Sequence, residues 1–198
     1  MKKELCLPNK SYHSKIIERL VSSLTGGINI NQCKDTDRAV ELATYLYAIN
    51  DYKVAVELLK SFAYDITYSE KSGVWGSKQN AMALLAYSVL RQGLEAEAKE
   101  ILIEIFESNP NIHTDETEWI IEDASEDITY YEPKDNWPVD LELTNKEITL
   151  GHYSTLAQFT FPYLVSKVIR KDDKRIYEPF SEIINTELQY LQEELKND

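Results

Sequence analysis

Six apolar positions in the first half of this chain recur at one fixed distance. Leu42, Ala43, Leu46, Ala55, Leu59 and Phe62 are matched 43 residues later by Leu85, Ala86, Val89, Ala98, Leu102 and Ile105. Within each copy the steps are those of a helix face, three or four residues apart, interrupted once by a short turn. Such a segment folds as two antiparallel helices. Two copies must then stack, because a lone hairpin leaves its apolar face in water. The small residues Ala43, Ala55, Ala86 and Ala98 let paired helices approach closely, while Leu and Val beside them fill the seam.

The same period governs the rest of the chain. Tyr12, Ile16, Leu20 and Leu24 predict a first helix, stopped by Gly26 and Gly27. Asp35, Thr36 and Asp37 predict the start of a second, which ends near Asn50 and Asp51. A third runs from Tyr52 to Ile66, a fourth over about 78–91 with Gly93 as its C-cap, and a fifth over 95–107, closed by Asn109 and Pro110. Between the third and fourth, Ser72 to Ser77 reads as a loop with Trp75 tucked against a helix. Further on, the pattern predicts a short helix over 117–124 and a long one from Thr144 or Lys146 to Arg170, kinked or split at Pro162. The last helix carries Tyr177, Phe180, Ile184, Leu188, Leu191 and Leu195 and is expected to begin at Pro179. The expected architecture is a single all-α domain over residues 1–198, with seven or eight helices.

Between residues 39 and 110 the repeated unit reads Leu-Ala-x2-Leu, a gap, then Ala-x3-Leu, with Asn50-Asp51-Tyr52 at the first turn, Gly93 at the second and Pro110 after the second copy. This resembles the tetratricopeptide repeat. The resemblance implies antiparallel hairpins stacked in a short solenoid, closed by the helices of residues 148–198, and a role in binding protein segments between the hairpins. The chain departs from the family in its 43-residue period, against about 34. It also has Ala39 and Met82 in place of an early Trp, and Thr67 where the first copy would carry Pro.

Charge narrows the partners. Of 198 residues, 34 are Asp or Glu and 21 are Lys or Arg, a formal charge of -13, so nucleic acid is not expected to bind. A basic protein is. Twelve acids face only Lys134 and Lys146 in the irregular segment 111–147, which also holds Trp119, Tyr130, Tyr131 and Trp137. Aromatic anchors among steering charges are what a docking surface uses, so Trp119, Tyr130, Tyr131, Asp135 and Trp137 are the expected partner-binding residues. A strongly acidic helical protein of this size is similar in charge and size to bacterial immunity proteins that neutralise a toxin through its basic surface. A peptide-binding scaffold or regulatory module is the alternative.

Catalytic signatures are sparse. The sequence has no GxSxG elbow, P-loop or GxGxxG, and no motif that calls for a cofactor. The nearest approach to a metal-ligand set is His113 with Asp115, Glu116 and Glu118, which would make a metal-dependent enzyme of the acidic segment. The same residues also suit a solvated helix start. Cys6 and Cys33 have neither CxxC spacing nor a nearby His, against a zinc site. With no secretory apolar stretch after Lys2 and Lys3 and no run long enough to span a bilayer, a cytoplasmic location away from membranes is expected, where Cys6 and Cys33 are not expected to form a disulfide.

Overall fold

A computed structural model describes residues 2–67, 74–107 and 174–198, together with Leu164 and Val168. Among these residues the protein is all-α. Its helices are α1 (Lys15–Leu24), α2 (Cys33–Ala48), α3 (Tyr52–Lys60), α4 (Val74–Arg91), α5 (Glu95–Glu107) and α6 (Lys174–Asn197), with a 3-10 turn at Ala63–Asp65.

The repeated spacing produces two hairpins. Helix α2 packs on α3, α4 packs on α5, and α4 also lies against both α2 and α3. Every one of the matched positions is buried, none more than 1% exposed. The match extends to the backbone of the turns. After α2, Asn50 takes a left-handed φ of 63°, its N–H donates to the Tyr47 carbonyl and the Asp51 N–H donates to that of Leu46. After α4, Gly93 has φ 81°, its N–H donates to the Leu90 carbonyl and that of Leu94 to Val89. Both are Schellman closures, which satisfy the last carbonyls of a helix and turn the chain sharply. They lie 43 residues apart, in the register of the core positions.

Several boundaries differ from the expectation. Tyr12 precedes α1, which starts at Lys15 behind Ser14, whose hydroxyl accepts from the Ile17 N–H at 3.3 Å. Helix α2 begins at Cys33, two residues ahead of Asp35, because the acids are engaged elsewhere. Asp35 accepts the Asn29 N–H at 2.9 Å, and Asp37 accepts the Ser77 hydroxyl at 2.6 Å, tying α4 to α2. The helix ends at Ala48, and α3 ends at Lys60, yet Phe62 and Ile66 beyond it are fully buried. Helix α4 starts at Val74, so Gly76 and Ser77 belong to its first turn and not to a loop, and α6 starts five residues before Pro179. The helices expected over 117–124 and 144–170 lie outside the described residues, apart from Leu164 and Val168, both buried. Cys6 and Cys33 form no disulfide.

The N-terminal segment is pinned across the repeat. Lys3 pairs with Ile28 in an isolated antiparallel bridge, N–H to carbonyl both ways at 2.8 and 2.9 Å, and its ammonium reaches Asp65 at 2.6 Å. Leu5 and Leu7 pack on the core on the way to α1. At the other end of the chain, α6 lies on α2, with Ile184 and Leu191 buried, Tyr45 donating to Glu194 at 2.8 Å and the Gln192 amide to the Ala48 carbonyl at 2.9 Å. Glu187 lies on the same stripe, only 1% exposed, and its Oε2 has no hydrogen-bond partner among the described residues.

Candidate functional site

The N-terminal segment, the α2–α3 turn and the end of α6 enclose an open cleft of about 770 Å³. Ile17, Ala48, Ile49 and Leu195 give it an apolar floor, and Ile49 is 38% exposed. Its rim is polar: Lys10, His13, Asn50, Asp51, Gln192 and Lys196.

Each wall is held for a local reason. The Schellman closure of α2 forces residue 50 into the left-handed region, which Asn tolerates better than most residues. Its side-chain carbonyl accepts the Tyr52 hydroxyl at 2.6 Å. Tyr52 in turn meets Tyr47, ring centroids 4.9 Å apart, and Tyr47 stacks on Tyr87 at 5.1 Å. The Tyr47 hydroxyl is buried, and burial, reinforced by the neighbouring Tyr87 phenol, pushes its pKa far above the usual phenol range. The turn that frames the cleft is therefore seated on an aromatic stack that spans both hairpins.

Asp51 occupies the N-cap position of α3, yet its carboxylate makes no cap hydrogen bond. It turns into the cleft instead. Oδ2 accepts the Tyr12 hydroxyl at 2.8 Å and pairs with the Lys10 ammonium at 2.6 Å, and the side chain is 17% exposed. The ammonium also sits 5.2 Å over the Tyr12 ring. Burial, reinforced by the hydrogen bond to Asp51 and the charges of Asp51 and Glu18, raises the Tyr12 pKa, so the phenol stays protonated and donates. Glu18 accepts the Tyr12 backbone N–H at 2.6 Å, which fixes the chain just before α1.

The third wall is anchored by Asp198. Its Oδ2 accepts the Ile16 N–H at 2.6 Å and the Ser14 hydroxyl at 2.9 Å, filling donors that the first turn of a helix leaves open. Those bonds, with Lys15 nearby, hold the Asp198 carboxyl below its usual range.

One carboxylate with an aromatic face, an apolar floor and a polar rim is an arrangement for recognition. Among the described residues no three His, Cys, Asp or Glu side chains converge as a metal site, and no helix is long and apolar enough to cross a membrane. The residues singled out from sequence, Trp119, Tyr130, Tyr131, Asp135 and Trp137 for a partner and His113, Asp115 and Glu116 for a metal, lie outside the described residues. Sequence reasoning missed the cleft. Its one local signal was the Asn50-Asp51 pair at a turn, equivalent to Gly93-Leu94 in the second hairpin, where neither residue brings a charge. No family model matches the chain, and searches of curated proteins and of solved structures find no match either.

Proposed function

We propose that this chain is a non-catalytic protein-binding module, a short tetratricopeptide-like stack that takes a segment of a partner protein in the cleft. The observation that carries this reading is the cleft itself. Three stretches remote in sequence frame an open apolar floor with polar groups at its edge, at a volume typical of ligand sites, ~300 to 1,000 Å³. The -13 charge makes a basic partner the natural one, since it attracts a basic surface, speeding approach, and repels acidic competitors. Neutralisation of a toxin through its basic surface, as bacterial immunity proteins do, fits that charge. The peptide-scaffold reading draws on the rim of the same cleft, where Lys10, Asn50 and Lys196 are exposed.

Selection of displayed random peptides against the full chain tests the proposal. Binders should be lost in Ile49→Glu and kept in Ile103→Glu, which alters an exposed apolar residue outside the cleft. Binders indifferent to Ile49→Glu would contradict it.

A further inference from the structure

We infer that Asp51 and Tyr12 form a receptor for a cationic side chain, lysine or arginine, of the partner protein, and that Lys10 fills it in the free protein as a built-in stand-in. The inference rests on the cleft being the docking site and adds the chemistry of what enters it.

The receptor has the parts such a group requires. Asp51 is mostly buried and supplies the countercharge, Tyr12 supplies an aromatic face at cation–π distance, and the two are locked together by their 2.8 Å hydrogen bond. The carboxylate is turned toward Tyr12 and Lys10 and away from the helix it precedes, since α3 is entered without its help. The apolar floor of Ile17, Ala48, Ile49 and Leu195 suits the alkyl stem of a long basic side chain.

Lys10 shows that an ammonium fits. It is also open to exchange: its side chain is 55% exposed, so water and an incoming cation can reach the ammonium. Lys10 competes as an intramolecular ligand, at an effective concentration near millimolar for a short flexible tether. Exchange leaves the charge of the receptor unchanged, one cation for one carboxylate. Lys196 and His13 on the rim limit the site to a single cation. The -13 charge of the whole chain favours delivery of a basic segment over an acidic one.

The experiment is an amide NMR titration of the full chain with two blocked tripeptides, acetyl-Leu-Arg-Leu-amide and acetyl-Leu-Glu-Leu-amide, repeated with the Lys analogue of the first. The expected result is that the Arg and Lys peptides shift resonances of residues 10–14 and 48–51, and that Lys10→Ala tightens them about two- to tenfold by removing the competitor. Asp51→Asn should abolish the effect with the spectrum otherwise folded, and Tyr12→Phe, which keeps the ring, should retain most of it. If the Glu peptide binds at the cleft in preference, the cleft reading stands and the cationic receptor is overturned. If the Arg peptide binds there but Lys10→Ala leaves its affinity unchanged or weaker, the stand-in role of Lys10 is overturned. If no peptide perturbs the cleft, both fall.

Discussion

Of Gly26, Gly27 and Gly93, Gly27 tolerates a side chain least. Its φ is 73°, and an added Cβ would lie 2.5 Å from the Lys3 carbonyl oxygen, the atom that accepts the Ile28 N–H. Gly27→Ala should cost roughly 1 to 3 kcal/mol, from φ strain together with loss of the bridge, read as a lower denaturation midpoint. Glu187 gives a different signature. Burial, then the nearby charge of Glu194, pushes its pKa up from 4.5 to about 7. Between those values the folded chain holds a proton that the unfolded chain has released, so stability falls as pH rises through the window, and the full cost is present above pH 7. Glu187→Gln, which cannot ionise, should raise stability at pH 8 by on the order of 2 kcal/mol and change it little at pH 4. Equal effects at both pH values would contradict a buried, ionising carboxyl.

At the scale of elements, the hairpins are the part most legible in sequence, because their stabilising contacts repeat the local period that defines them. Ala98→Leu should overpack the α4–α5 seam by about 1 to 3 kcal/mol, measurable as a fall in melting temperature. The turns test the repeat separately. A Cβ at Gly93 meets nothing within 4 Å, so Gly93→Ala costs only its φ, about 1 kcal/mol, and Gly93→Asn should cost less, since Asn50 already serves at the equivalent position. Helix starts were less legible. Asp35 and Asp37 look like caps, but their partners, Asn29 and Ser77, are set by tertiary folding. Glu187 sits three residues after Ile184 and four before Leu191, a place on the apolar stripe that sequence could have flagged. The cleft had no such signal. Lys10, Asp51 and Gln192 meet only because the N-terminal segment is pinned at Lys3, α2 closes at Asn50, and α6 returns across α2.

At the scale of the whole molecule, a chain of net charge -13 carries, among the described residues, a cleft framed by one of the two turns. Long-range attraction predicts that association with a basic partner slows steeply as ionic strength rises from ~0.01 to 0.15 M, where the Debye length falls from about 30 to 8 Å. Stopped-flow rates that stay flat over that range would remove the steering role of the -13 charge. Duplex or single-stranded nucleic acid should not bind at physiological salt, which a gel-shift assay checks. The most direct test of the central claim is amide hydrogen exchange of the full chain, alone and bound to a protein segment selected against it. Protection should rise over residues 10–17, 48–51 and 192–196 together, because these three stretches form one cleft; protection gained elsewhere, with all three unchanged, would contradict it.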